Sequence, residues 1–300
     1  MLLTTQTSQL AFGLGIKEAI KLIAEAGFDS IDFSMFDMID KDNVLNGSDY
    51  IKYADEIKQT AQHNNIIFTQ GHAPFNLPLD TGEKEHVEIV KQRMIRSLEV
   101  GSILEIPVIV VHPLQFRKYW RFRNASFFKK LNYEFYNSLM PYSEKLGVKV
   151  ACENMWQYNN IKKKIVDSVC ADPEEFNEYI DAVNNPNFVA CLDIGHCELT
   201  GRIPQDMIRK MGGRIQALHV HDNYGNDDSH MLPGYGELDW NEIIKALADI
   251  DYKGNLTFEA DSFIRPFRSD REGAALALRL MEHVGRELID KFNSFNNGKS

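Results

Sequence analysis

The chain has 300 residues, 44% of them hydrophobic and 25% charged, an ordinary globular composition with length enough for a large core. Its 33 basic and 43 acidic residues leave a formal net charge of -10, which argues against a protein that grips DNA over a broad face by counter-ion release. No apolar run approaches the roughly 20 residues of a membrane-spanning helix.

The start, MLLTTQTSQLAFG, lacks the basic and then apolar stretches of a secretion signal. Cys152, Cys170, Cys191 and Cys197 show no CxxC pairing, so a reduced, cytoplasmic protein is expected.

Short apolar or β-branched runs alternate along the chain with longer stretches of helical period. Strands are predicted at 2–5, 30–34, 66–71, 108–112, 149–153, 188–193, 215–219 and 255–259. Between them lie helical patterns: IKEAIKLIAEAG, with Gly27 as its C-cap, EKEHVEIVKQRMIRSLEVGSILE, and EGAALALRLMEHVGRELIDKF near the end. No linker of biased composition divides them. Eight strand–helix units predict an α/β fold, a single (β/α)8 TIM barrel forming one domain over residues 1–300. The competitor is a doubly wound open sheet. However, GLG at 13–15 lacks the third glycine of a dinucleotide loop, and the terminal GKS has no upstream P-loop glycine.

Polar residues gather where the strands end. The third run is followed by His72 and the fourth ends in His112. The fifth ends in Glu153, and the sixth in Asp193 with His196 just after. The seventh reads LHVHDN, with His219, His221 and Asp222, and its loop carries Asp228 and His230; the eighth ends in Glu259. In a parallel barrel these positions share the carboxyl-end face, where active sites of the fold lie. Six of the nine histidines are there; His63, His86 and His283 fall on helical stretches.

A lone histidine or carboxylate at a core edge is ordinarily a hydrogen-bonded structural residue. Three or four carboxylates in one barrel mouth are different. Each uncompensated one costs on the order of several kcal/mol, comparable to the net stability of a domain. A divalent cation held by Glu153, Asp193, His219 and Glu259 resolves this. Three carboxylates and one imidazole suit Mn2+, Mg2+ or Co2+, and further histidines shift the preference toward Zn2+.

Residues 116–133, FRKYWRFRNASFFKKLNY, carry Arg117, Lys118, Arg121, Arg123, Lys129 and Lys130 and no acid. They read as a solvated helix face, with a polyanion track as one functional alternative and, as another, a substrate phosphate held by these cations or by Arg265 and Arg268. Trp156, three residues beyond Glu153, either stacks on a sugar or packs under a loop. Gly234 and Gly236 shape a turn that delivers His230. Cys191 and Cys197 read as core residues.

These residues resemble the xylose isomerase-like superfamily of TIM barrels, which contains sugar isomerases, ketose 3-epimerases, inosose dehydratase and endonuclease IV-type repair enzymes. GFDSIDFS resembles the family's second strand, with Asp32 where Glu is usual. LHVHDNYGNDDSHMLPGYGELDW, residues 218–240, resembles its strand-seven metal histidine, Asp-x-His and Gly-x-Gly turn. Likeness to the epimerases implies one metal on Glu153, Asp193, His219 and Glu259, with Glu153 and Glu259 also the catalytic acid/base pair. Likeness to the endonucleases implies up to three zinc ions, using His72, His112, His196, Asp228 and His230 as well. Gly225 stands where the epimerases carry an arginine, so their substrate contacts do not transfer.

The expected function is therefore a metal-dependent isomerase or epimerase acting on a ketose or sugar phosphate through a cis-enediolate, with Trp156 and His196 against substrate. An endonuclease IV-type AP endonuclease and an inosose dehydratase-like lyase are the alternatives, with a non-catalytic metal-holding barrel behind them. The expected partner is a small carbohydrate, without nucleic acid or membrane; a homo-oligomer is left open.

Overall fold

In the computed structural model, which describes residues 1–75, 84–115 and 121–298, the chain first lays down β1 (Leu3–Gln6), α1 (Ser8–Leu14), α2 (Ile16–Ala26) and β2 (Ser30–Ser34). Next come α3 (Tyr50–His63), β3 (Ile67–His72), α4 (Lys84–Ile103), β4 (Val108–Val111), α5 (Arg121–Leu146) and β5 (Lys149–Glu153). A small hairpin follows, β6 (Trp156–Asn159) and β7 (Lys164–Asp167), and then α6 (Pro173–Val183), β8 (Phe188–Asp193), α7 (Ile194–Leu199), α8 (Pro204–Met211) and β9 (Ile215–His219). The last elements are α9 (Trp240–Asp249), β10 (Leu256–Phe258), α10 (Asp261–Ile264) and α11 (Arg271–Asn297).

Eight strands form one parallel sheet in the order β10-β1-β2-β3-β4-β5-β8-β9. Its two ends meet just beyond β9. Val220 N donates to Thr257 O at 2.8 Å, and Glu259 N donates to Val220 O at 3.1 Å. The sheet is thus a barrel with helices outside it, and each strand predicted from the sequence is present. Two boundaries differ in a way that matters. β4 stops at Val111 and β10 at Phe258, which leaves His112 and Glu259 just past their strands, on the loops of the mouth.

The reasons are local. α2 buries Ala19, Ile20, Leu22 and Ile23 on one face, and Gly27 ends it in the left-handed conformation, as the sequence predicts. α6 starts on Pro173 with the Asp172 side chain accepting from the backbone N–H of Glu174 and Glu175. The outer core lies between sheet and helices. Alternate residues face the barrel interior instead: Val108, Val110, Ala151, Val189, Cys191 and Ala217 pack as a separate inner cluster below the mouth.

Hairpin β6–β7 does not appear among the predicted strands, because WQYN and KIVD run only four residues each and KIVD does not alternate. All four cysteines are free and buried. No described helix is long and apolar enough to cross a membrane. Of the basic stretch, residues 116–120 and the side chains of Arg121 and Arg123 lie outside the described residues. Lys129 pairs with Glu178, and Lys130 lies 3.9 Å from Glu134, so the described part behaves as a surface helix face.

Candidate metal centre

Four strand ends converge at the mouth. Pairing of β8 with β9 sets Asp193 beside His219, and pairing of β5 with β8 sets Glu153 beside Cys191. Glu259 arrives from the loop after β10. Ligand atoms of Glu153, Asp193, His219 and Glu259 all lie within 4.8 Å of one another. His219 Nδ1 is 2.9 Å from Glu259 Oε2, 3.3 Å from Glu153 Oε1 and 3.8 Å from Asp193 Oδ2. All four side chains are buried.

Two further groups adjoin this one. At the ends of β3 and β4, His72 Nε2 lies 3.6 Å and His112 Nε2 lies 2.9 Å from Glu153 Oε2. On the other side, Asp228 Oδ2 lies 3.5 Å from His196 Nε2 and 3.2 Å from His230 Nε2. Every candidate ligand named from the sequence is therefore in one mouth. One participant went unassigned there: His221 joins the group of His196, Asp228 and His230. The signal was in LHVHDN, because two residues of the same parity in an extended run point to one face.

The histidines are oriented by the backbone. His72 Nδ1 is 2.7 Å from Ala73 O, His196 Nδ1 is 2.8 Å from Asn154 O, and His230 Nδ1 is 2.8 Å from Glu259 O. A carbonyl only accepts, so Nδ1 carries the proton in each ring. When the ring is neutral, Nε2 then offers a lone pair to the mouth, the arrangement that typically fixes metal-binding histidines.

Lone pairs facing carboxylates need a cation between them. Glu153 Oε2, Asp228 Oδ1, His72 Nε2 and both ring nitrogens of His219 are buried without a hydrogen-bond partner. The 2.9 Å approach of His219 to Glu259 lacks hydrogen-bond alignment, so it is a close contact and not a satisfied pair. Buried polar atoms of this kind are rare unless something fills them. The donor set fits a divalent ion.

The electrostatics agree. Burial pushes Glu153 up, but the charges of His219 and His112 beside it outweigh that and hold the carboxyl well below its usual range. Glu259 is likewise lowered against burial by His219, and Asp228 by His196 and His230. Burial lowers His196, His219 and His230, yet the surrounding acidic groups win: the first two rise well above the ordinary value and His230 reaches about 10. His112 moves down, because burial dominates there. Without another cation, protons on imidazoles supply the counter-charge. A divalent ion competes with those protons for the same atoms.

An outer set holds the ligands in place. Gln6 Nε2 donates to Glu259 Oε1 at 2.7 Å, which leaves Oε2 for the mouth. Asn154 bonds both backbone groups of Asp193, at 2.7 and 2.9 Å. Asp32, pushed by burial to about 6, accepts from Gln70 at 2.9 Å and lies 3.8 Å from His219 Nε2. Asp222 accepts from the N–H of Asn223, Gly234 and Leu238 and from Trp240 Nε1, and so organises the loop that carries Asp228 and His230.

Above the ligands is a cavity of about 280 Å³, lined in part by Phe75, Met155, Trp156, Glu153 and Glu259. Trp156 both faces this cavity and donates from Nε1 to Asp228 Oδ2 at 3.0 Å. Cys191 lies beneath the cluster with its thiol pushed by burial to about 12, and burial raises Cys197 as well; both remain thiols within the core.

Residues 20–283 match the family model described as xylose isomerase-like TIM barrel. The uncharacterized protein MJ1311 of Methanocaldococcus jannaschii is 26% identical over 253 residues, 81% of this chain and 78% of its own. The crystal structure of a D-tagatose 3-epimerase-like protein is similar with a TM-score of 0.74 and 20% identity, over 100% of this chain and 99% of that one. The crystal structure of the IolI protein with a zinc atom gives 0.73 and 19%, over 97% and 99%.

Proposed function

The chain belongs to the xylose isomerase-like TIM barrel family, and from that premise we propose that it is a divalent-metal-dependent isomerase or epimerase of a small ketose or ketose phosphate, its whole length serving one barrel domain. The observation that carries this reading is that Glu153 and Glu259 both flank His219 and both line one sugar-sized cavity. The likeness of the fold to the IolI protein, solved with a zinc atom, and to the D-tagatose 3-epimerase-like protein supports the choice of cofactor and substrate class.

A divalent ion held by Glu153, Asp193, His219 and Glu259 supplies Lewis acidity that acidifies the C–H beside a ketose carbonyl. One of the two glutamates takes that proton, leaving the electron pair in the cis-enediolate of the sugar. The other returns a proton to carbon, to the opposite face for epimerisation. Gln6 holds Glu259 during the exchange. Trp156 and His196 contact the sugar from the cavity wall. Loss of a β-hydroxyl from the same enediolate gives the dehydratase variant.

A second reading, phosphodiester hydrolysis of the endonuclease IV type, is favoured by one observation. His72 and His112 with Glu153, and His196 with Asp228 and His230, supply two more ligand groups beside the first. Three ions suit activation of water together with stabilisation of a leaving oxygen.

One experiment separates the readings. The metal content of freshly purified protein is measured, and the loaded protein is given a ketose panel in D2O and, separately, duplex DNA with an abasic site. Deuterium at the carbon beside the carbonyl, lost in Glu153→Gln, supports the isomerase. DNA incision with about three zinc per chain and no exchange into any ketose overturns it.

A further inference from the structure

His221 belongs to neither ligand set implied by the family resemblance, yet it is fully buried between the two clusters. Its Nε2 lies 3.1 Å from Asp193, a member of the first cluster. Its ring stacks on His230, a member of the second, with centroids 4.1 Å apart and planes 6° from parallel. The slot it fills exists because position 195 has no side chain. A Cβ on Gly195 would sit 2.1 Å from His221 Cε1. Asn223 Nδ2 holds that backbone by donating to Gly195 O at 2.9 Å.

We propose that His221 is a positioning residue: it donates from Nε2–H to Asp193 and so turns that carboxylate toward the ion of the first cluster. Asp193 Oδ1 already accepts from His196 N at 2.7 Å. With the backbone donor on Oδ1 and His221 Nε2 at 3.1 Å from both oxygens, the carboxylate cannot rotate freely. A carboxylate held by outer donors binds metal more tightly than a loose one, by about 10–100-fold in comparable sites. The stack carries a second consequence, because His230 rests on the same ring and the two clusters share one support. The inference rests on the reading that the Glu153 cluster holds a divalent ion.

The test uses Mn2+ as probe, since the oxygen-rich set of Glu153, Asp193, His219 and Glu259 suits it better than the histidine-rich groups do. Free Mn2+ is followed by its electron paramagnetic resonance signal as it is added to the metal-free full chain. His221→Phe keeps a flat ring on His230 and loses the donor; His221→Gln restores a donor without the ring. The expected result is Mn2+ affinity weakened about 10–100-fold in His221→Phe and returned to within a few-fold of wild type in His221→Gln. Melting curves without metal show whether each variant folds. Wild-type affinity in His221→Phe overturns the proposal, as does equal weakening in both variants, which would mark His221 as packing alone. Wild-type protein that takes up no divalent ion overturns the underlying reading as well.

Discussion

The imidazole of His219 is shared by two carboxylates: its Nδ1 stands 3.3 Å from Glu153 Oε1 and 2.9 Å from Glu259 Oε2. The same two side chains line the cavity. If they move the proton, removing either acid function stops exchange while most of the ligand set remains. Glu153→Gln and Glu259→Gln are each expected to lower the rate of ketose C–H exchange by about 10²–10⁴-fold. Parallel Mn2+ titration is expected to show a smaller loss of affinity. A variant that exchanges at the wild-type rate would remove that glutamate from the mechanism.

Metal removal has a stability consequence. Glu153, Asp193 and Glu259 are buried around His219, and their counter-charge in the metal-free state comes from imidazolium groups. An ion that binds only the folded chain stabilises by about 2.7 kcal/mol at a hundred times its dissociation constant. For a chain of 300 residues that corresponds to a rise in Tm of about 4 °C. Calorimetry with and without excess Mn2+, after chelator treatment, reads this directly. An unchanged Tm would mean that no ion is held.

Asp222 touches no ligand atom of the first cluster but ties down the loop that delivers the second. Its four accepted hydrogen bonds include the buried indole N–H of Trp240. Asp222→Ala strands those donors, at a cost of about 2–4 kcal/mol in unfolding free energy. Denaturant melts should show that loss, and zinc stoichiometry should fall as His230 loses its position. Retention of both would assign the loop's shape to other contacts.

Trp156 lines the cavity and donates to Asp228, and two substitutions test these placements separately. Trp156→Phe keeps an aromatic wall and removes the donor to Asp228. The expected outcome is a KM within a few-fold of wild type and weaker metal binding at the Asp228 group. Trp156→Ala is expected to raise KM about five- to tenfold, since stacking on a ring contributes about 1–1.4 kcal/mol. Equal KM in both variants would remove the stacking role.

A salt link far from the site tests the packing of the last helix. Arg286 on α11 donates to both carboxylate oxygens of Asp29, at 2.7 and 2.9 Å, and to Gly27 O. Burial opposes ionisation of Asp29, but the hydrogen bond and charge of Arg286 prevail and lower its pKa below 3.8. The folded value is depressed, so the contribution is present above the ordinary value and is lost as pH falls through the folded one. Arg286→Met should cost about 1 kcal/mol at neutral pH, because the pair is partly exposed. The gap to wild type should shrink below about pH 4. A gap independent of pH would show that Arg286 acts by packing alone.

The alternating periods of strand and helix make the barrel legible in the sequence, as does Gly27 at the end of α2. The nine ligand candidates were legible because each closes or follows a strand, and a parallel barrel sends all such positions to one face. The hairpin of Trp156–Asn159 and Lys164–Asp167 was not legible, since its strands run only four residues each and KIVD does not alternate.

What the amino-acid order determined by itself is therefore which residues reach the mouth, through short-range periodicity. Only the folded chain decided how they meet there. The carbonyls of Ala73, Asn154 and Glu259 select the proton-bearing nitrogen of His72, His196 and His230. Gly195 opens the slot that lets His221 reach Asp193. Those partners come together across as many as 42 positions of sequence, as for Asn154 and His196, so no local pattern encodes them; barrel closure does.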